Sequence, residues 1–333
     1  MTERWEVGPV PARSIANLHL ADPTVPLEAG LAAANDRSVE SAQGLLSRWF
    51  PTFPVPQLAQ TTDAATVQLG PVSPDLAHSP LTAPGLMGRL FDERGYGPAN
   101  VRLVRNREPQ PSGSTLVGRG TAGRTFVHAG SLAVQLDAGY TAVLDGIDLR
   151  DGPSMRLAEA TERVFGCAVN INGYLSLRRE MSFGAHWDDH EVIILQLLGA
   201  KHWIVEQPVA LSMSKASHPE ATSGTVAWEG DLAVGQSLYV PRGWGHRVNS
   251  EDSLSFHYTI TIPRLHGLEV LSRMLTQAAE RGHRAPRVDL GSAEAAGIAT
   301  AWLTDLASDD AVRWAVASNR ASMPSRSTQS LTA

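Results

Sequence analysis

Residues 170–205 read NINGYLSLRREMSFGAHWDDHEVIILQLLGAKHWIV. Short apolar runs in this stretch (INGYLSL, EVIILQLLG, KHWIV) are separated by charged or glycine-containing breaks, the signature of successive short strands. The pattern extends in both directions. From Ala168 to Ile262 the runs AVNINGYLSL, FGAHWD, EVIILQLLG, KHWIVEQP, GTVAWEGDLAVGQSLYVPRG, HRVNS and SLSFHYTITI follow one another with Pro and Gly between them. Strands this short and frequent predict a small β-barrel or a two-sheet jelly roll.

Upstream, TFVHAG, LAVQLDAG and TAVLDGI within residues 115–147 read as further β-like runs, and PSMRLAEATERVFG (153–166) as a helix stopped at Gly166. Residues 27–49 are Ala/Leu-rich with helical periodicity, and 50–85, rich in Pro, Thr and Ser, read as irregular chain with a strand or two. After Pro263 the helical pattern returns in LHGLEVLSRMLTQAAERG and in AEAAGIATAWLTDLASDDAVRWAVASN. The expectation is a mainly β chain with flanking helices, of the α+β class. Its regions are an N-terminal helical and irregular part (1–114), the β core (115–263), a helical segment (264–320) and a polar tail (321–333).

The chain has 333 residues, 43% of them hydrophobic, enough for a sizeable core. Its net charge of -6 gives no reason to expect nucleic acid or an anionic membrane as partner. The single cysteine, Cys167, rules out an internal disulfide and a Cys-rich zinc site, and reads as a small buried hydrophobe. No run approaches the ~20 apolar residues of a membrane span, and residues 1–14 lack a signal-peptide layout. A soluble, cytoplasmic protein is expected.

His186, Trp187 and Asp188 lie at the end of a predicted strand. Side chains alternate along a strand, so His186 and Asp188 share one face and Trp187 takes the other. An imidazole and a carboxylate side by side are two legs of a metal site, or simply a polar strand end. His246 follows the strand and turn Tyr239-Val240-Pro241-Arg242-Gly243-Trp244-Gly245, sixty residues after His186. Two His and one carboxylate on one face of an octahedron leave three positions open, as in non-haem Fe(II) oxygenases.

The motifs as a set resemble the JmjC-type, cupin-like 2-oxoglutarate oxygenases, most closely their ribosomal-oxygenase branch. The resemblance rests on Asn172 and Tyr174, then His186 and Asp188, then Gln196, Gly199, Lys201 and Trp203. It continues in Pro241-Arg242-Gly243-Trp244-Gly245-His246 and in Ser255, His257, Thr259 and Thr261, covering about residues 115–262. It implies a double-stranded β-helix core and a C-terminal helical dimerisation segment. It also implies Fe(II) held by His186, Asp188 and His246, with 2-oxoglutarate as cosubstrate and O₂ as oxidant. Lys201, fifteen residues after His186, would pair with the distal carboxylate of 2-oxoglutarate, and the Tyr174 hydroxyl, twelve before, would donate to the same group. Asn172 and Thr261 would contact the cosubstrate or support the site, or serve as hydrogen-bonded core polar groups.

The neighbours of these residues divide. Asp189 should face away from Asp188; His190 should face the substrate or support the ligands without binding metal. His257 takes a supporting role. Trp187 and Trp244 would wall the pocket or pack in the core. Arg178 and Arg179 replace the family's proline-rich turn, reshaping the entrance or forming a solvated turn. Gly118–Gly123 formally matches GxGxxG, but the chain beyond it reads as strand, not as the helix a phosphate site needs. The resemblance implies hydroxylation of an amino-acid side chain in a protein or peptide. A free amino acid or small natural-product intermediate is the alternative substrate. Beyond that stand a non-catalytic cupin-like binding protein and a zinc or manganese enzyme on the same fold.

Overall fold

The run Glu191–Leu198, EVIILQLL, carries apolar side chains on both of its faces, so a strand built from it must be covered on both sides. The computed structural model places it in that position. It describes residues 39–50, 58, 68–71, 100–106, 108–110, 117–119, 125–150, 152–178, 183–208, 223–250, 253–263, 271–272 and 274–276, with positions 297, 300, 301 and 304. The strands are β1 (Gln68–Pro71), β2 (Val101–Arg105), β3 (Glu108–Gln110), β4 (Val117–Arg119), β5 (Thr125–Val127), β6 (Thr141–Leu144) and β7 (Asn170–Ser176). They continue with β8 (His186–Trp187), β9 (Glu191–Leu198), β10 (Ala200–Glu206), β11 (Val226–Ala233), β12 (Gln236–Val240), β13 (Gly245–Ser250) and β14 (Ser255–Ile262).

Eight strands form one sheet in the order β1-β12-β9-β14-β7-β6-β2-β3, and four form a second in the order β11-β10-β13-β8. Neighbours pair antiparallel throughout both sheets. Strand β9 explains why two cores exist. Ile193, Leu195 and Leu197 belong to the large core on the helix side of the big sheet, and Val192 and Ile194 join Trp203, Val205, Leu232, Leu238 and Val240 in a second core. The members of that second core come from both sheets, the arrangement of a two-sheet jelly roll.

Among the described residues, three helices cover the outer side. Residues 39–49 form α1, whose Ala42 and Leu46 are buried, as is Phe50 just after it. The run AGSLAVQLD, expected as β, is instead the helix α2 (Ala129–Asp137). Its Leu132 and Leu136 are buried one turn apart and the His128 side chain accepts from Ser131 N–H as an N-cap. An alternating reading of LAVQL is equally available in sequence; the cap and the i, i+4 leucines decide it. Helix α3 (Gly152–Phe165) forms where expected, and Gly166 follows it at φ +68°, the left-handed stop.

The sequence assigns residues before 115 to packing on the core, yet β1, β2 and β3 are members of the large sheet itself. Of the Gly118–Gly123 motif, Gly118 and Arg119 lie on β4, Gly118 opposite Phe126 on β5, and positions 120–123 lie outside the described residues. Most of the expected helical segment 264–320 and all of the tail 321–333 lie outside the described residues, as do residues 27–38; Met274 is buried and helical, while Leu271 and Leu275 are exposed. Among the described residues no helix is long and apolar enough to cross a membrane.

Gly173 shows how tightly the functional strand is seated. A Cβ there would lie 2.6 Å from Ile147 Cδ1 and 2.7 Å from Phe256 Cζ, both in the large core. Gly173→Ala is expected to destabilise the fold by about 1–3 kcal/mol through overpacking, read as a lower midpoint in thermal or urea unfolding. An unchanged midpoint would contradict this packing.

Candidate metal centre

Strand β8 is two residues long, and among the described residues its one partner is β13. The register sets His186 opposite His246 and Trp187 opposite Gly245. Directly paired residues project to the same side of a sheet, so the two imidazoles meet, with ring centroids 4.3 Å apart. Asp188, the next residue on that face, brings Oδ2 to 3.6 Å from His246 Nε2 and Oδ1 to 4.0 Å from His186 Nε2. One ligand atom from each of the three lies within 4.8 Å of the others.

Both imidazoles are oriented by the backbone. His186 Nδ1 lies 3.1 Å from Gly184 O, and His246 Nδ1 lies 3.2 Å from Trp244 O. A carbonyl only accepts, so each Nδ1 carries the proton and each Nε2 presents a lone pair. Burial, followed by the nearby His186, lowers the pKa of His246 to about 4, which keeps it neutral and able to ligate. Two neutral imidazoles and a carboxylate suit a divalent first-row ion. Cis ligands at roughly 2.1 Å from a metal lie about 3 Å apart, so a modest contraction closes the triad on an ion.

The turns carrying the triad are tied together. Gly243 N–H donates to Asp188 O at 2.9 Å, and Arg242 forms an ion pair with Asp189 through both Nε and Nη2. Asp189 therefore faces away from the triad, as alternation predicts, and clamps the two ligand-bearing turns. His190 Nε2 is 3.7 Å from Asp188 Oδ2 and lines the cavity, outside the ligand set.

A cavity of about 360 Å³ opens beside the triad. The large sheet lines it with Asn172, Tyr174, Ile194, His257, Thr259 and Thr261; the small sheet contributes Trp203, His246 and Val248. Asn172 and Thr261, foreseen from the sequence, thus reach the cavity. Trp187 and Trp244 do not: Trp244 packs on the second core, and the tryptophan of the wall is Trp203. Arg102 and Phe183 also line it, although no motif announces either. Arg178 pairs with Asp137 on the surface, and Arg179 lies outside the described residues.

Lys201 is 2% exposed, buried at the far end of strand β10 from the histidines. Its ammonium donates to Tyr174 O at 3.1 Å and to Ser176 Oγ at 3.2 Å, and it forms no ion pair among the described residues. Burial lowers its pKa to about 7. Beside it, His257 stacks on Tyr174 at 4.8 Å and has a buried Nδ1 without a hydrogen-bond partner; the buried Trp203 Nε1 also has none. Gln196 Oε1, on the residue opposite His257, is also buried without a partner, so the charge on Lys201 is what favours an anion at this end.

The two expected anchors are linked through the backbone of Tyr174. Lys201 meets the backbone carbonyl of Tyr174, not its hydroxyl. The hydroxyl keeps its proton, its pKa pushed up to about 12 by burial and by Asp188, and it hydrogen-bonds Asn172. Asn172 Oδ1 already accepts from Gly146 N–H at 3.0 Å, so its amide NH₂ is the end facing Tyr174.

Comparison with known proteins now adds to this geometry. Residues 147–269 match the family model described as the JmjC domain. Ribosomal oxygenase 2 of Bos taurus is 36% identical over 108 residues, covering 32% of this chain and 23% of that protein. The bifunctional lysine-specific demethylase and histidyl-hydroxylase NO66 of Brugia malayi is 27% identical over 173 residues, covering 50% of this chain and 23% of its own length. The matches thus span under a quarter of these curated relatives. Escherichia coli ribosomal oxygenase YcfD has a similar fold, with a TM-score of 0.53 at 13% identity over 81% of this chain and 71% of that one. A further structure of YcfD, in complex with cobalt and 2-oxoglutarate, aligns equally well, with a TM-score of 0.53 over 82% and 72% of the two chains.

The buried ammonium has a measurable consequence. Its folded pKa lies below the unfolded 10.5, so the folded state disfavours the proton. The resulting penalty is fully present below about pH 7 and disappears as pH rises towards 10.5. Lys201→Met should therefore raise the melting temperature of the ligand-free protein at pH 6–7. That gain should shrink steadily between pH 7 and 10; a gain that grew with pH would refute the assignment.

Proposed function

We propose that this chain is an Fe(II)- and 2-oxoglutarate-dependent oxygenase that hydroxylates a C–H bond of an amino-acid side chain. The observation that carries the reading is one cavity with a His-Asp-His cluster at its mouth, and a buried, carboxylate-free ammonium in the barrel wall beyond it. Neither feature needs the other in a binding protein or a zinc hydrolase. A dicarboxylate cosubstrate that chelates metal at one end and carries charge at the other gives both a purpose. The JmjC match over residues 147–269 supports the same reading. The names of the relatives, a histidyl-hydroxylase and a ribosomal oxygenase, favour a side chain within a protein as substrate.

His186, Asp188 and His246 would hold the metal; when bound with 2-oxoglutarate and O₂ it supplies the oxidising power, and the cosubstrate leaves as succinate and CO₂. The protein's part is positioning. The backbone carbonyls of Gly184 and Trp244 fix the two imidazole tautomers. Lys201, displaced from its hydrogen bonds to Tyr174 O and Ser176 Oγ, would receive the distal carboxylate. Val192, Ile194, Val248 and Trp203 make the intervening wall apolar, which strengthens that contact and excludes water. Thr259 and Thr261 add hydroxyls on the large-sheet side.

Purified protein given Fe(II), 2-oxoglutarate and air should form succinate, and more of it with substrate present. Asp188→Ala should abolish turnover and Mn(II) binding together. Lys201→Met should spare Mn(II) binding while weakening 2-oxoglutarate by about tenfold or more, the loss of one charge-assisted contact. Candidate ribosomal peptides should gain 16 Da by mass spectrometry. Wild-type protein that binds neither Mn(II) nor 2-oxoglutarate would overturn the reading.

A further inference from the structure

Asp188 presents its two oxygens to different imidazoles. Oδ2 lies 3.6 Å from His246 Nε2, and Oδ1 lies 4.0 Å from His186 Nε2. From that posture the carboxylate can meet an ion held by both histidines through one oxygen or through both. The difference decides what the site can do. Two imidazoles and one oxygen leave three positions of an octahedron open, enough for a cosubstrate that chelates and for the oxidant. A carboxylate bound through both oxygens takes one of those positions and leaves the oxidant no place. The second oxygen therefore needs a partner other than the metal.

The ligand histidines cannot be that partner. Their Nδ1 protons are committed to Gly184 O and Trp244 O, and their Nε2 atoms present lone pairs. Among the described residues the Asp188 carboxylate accepts no hydrogen bond, and three imidazoles are the groups within 4.0 Å of it. The third is His190, with Nε2 at 3.7 Å from Oδ2. Its ring lines the cavity, yet it lies outside the group of side chains that could share one ion. The intervening residue keeps it there. Asp189 is pinned outward by its ion pair with Arg242, while His190 leads directly into β9. His190 is therefore placed on the ligand and not on the metal.

We propose that His190 is a positioning residue for Asp188: its Nε2–H donates to Oδ2, so the carboxylate meets the metal through one oxygen and three positions stay open. The proposal rests on the oxygenase reading and deepens it by naming the residue that keeps room for the oxidant. A shift of about 1 Å takes the pair from 3.7 Å to a charge-assisted contact, the same order as the contraction that closes the triad. A hydrogen bond to a ligand carboxylate fixes its rotation and its binding mode, which is how outer partners tune metal sites. Here the partner comes from the segment entering β9. The large sheet thus helps to hold a ligand that follows β8 of the small sheet.

The test counts water on Mn(II) bound to the full chain, by water-proton relaxation, in wild type, His190→Gln and His190→Leu. His190→Gln keeps an N–H donor, and His190→Leu keeps bulk without one. Wild type and His190→Gln should each hold about three inner-sphere waters, falling to about one with N-oxalylglycine, an unreactive stand-in for the cosubstrate. His190→Leu should hold about two, and about none with N-oxalylglycine. Its Mn(II) affinity should stay within about twofold of wild type, because the second carboxylate oxygen replaces a water. A wholly structural His190 would lower Mn(II) affinity and thermal midpoint in both variants and leave the count at about three, which overturns the proposal. A wild-type count of about two overturns it whatever the variants do, so the test holds even where a variant fails to fold. A rise from that count in His190→Leu would make His190 itself a ligand. Each of these failures leaves the metal site standing. Wild-type protein that retains no Mn(II) brings down the oxygenase reading itself, and this proposal with it.

Discussion

The pairing of β8 with β13 is the contact on which the site depends. A two-residue strand has little hold of its own, yet it must set His186 opposite His246. A slip of one residue would turn one imidazole to the opposite face of the small sheet. The register is secured from outside the pair. Arg242 and Asp189 bridge the two turns, and Gly243 N–H reaches Asp188 O. These contacts lie on the side of the chain away from the cavity, so they fix the ligands without occupying it. Asp188 and Asp189 have opposite duties because strand alternation sends neighbouring carboxylates in opposite directions.

Polarity inside the barrel is graded in a way the chemistry can use. At the mouth, two imidazole lone pairs and a carboxylate make a group of acceptors that suits a cation. Away from the triad, Lys201 stands near the His257 ring, Trp203 Nε1 and Gln196 Oε1, and its ammonium gives this region its positive character. Val192, Ile194 and Val248 lie between, so the two fields are screened little by water. A buried ammonium is costly to a resting fold, and a sequence selected for stability alone would place an apolar side chain there. Its retention is understandable if an anion visits that end.

Much of this was legible before the fold was known. Short apolar runs between Ala168 and Ile262, broken by Pro and Gly, predict a small barrel or two-sheet jelly roll, because strand and turn residues are local properties. The triad and Lys201 were legible as motifs because each sits on a strand whose spacing to the next is fixed by the fold. What was not legible depends on long-range register. LAVQL admits strand or helix, and only the His128 cap and the burial of Leu132 and Leu136 settle it as α2. Spacing likewise tells which face Tyr174 occupies, whereas the partner of its hydroxyl, Asn172, is set by the fold.

Arg102 is the sharpest case of this limit. It stands eighty-four residues before His186 in VRLVR, a run whose alternation says only that its two arginines take opposite faces. Its meaning comes from β6 and β2 extending the large sheet past β7. That extension gives the cavity a side wall which the triad-bearing strands do not supply. The metal-binding half of the site is built from closely spaced strands under tight register, and its chemistry tolerates little variation. The wall is built from an earlier segment joined through one edge of the sheet. Register along that edge, and not any local motif, therefore decides which side chains of β2 face the cavity.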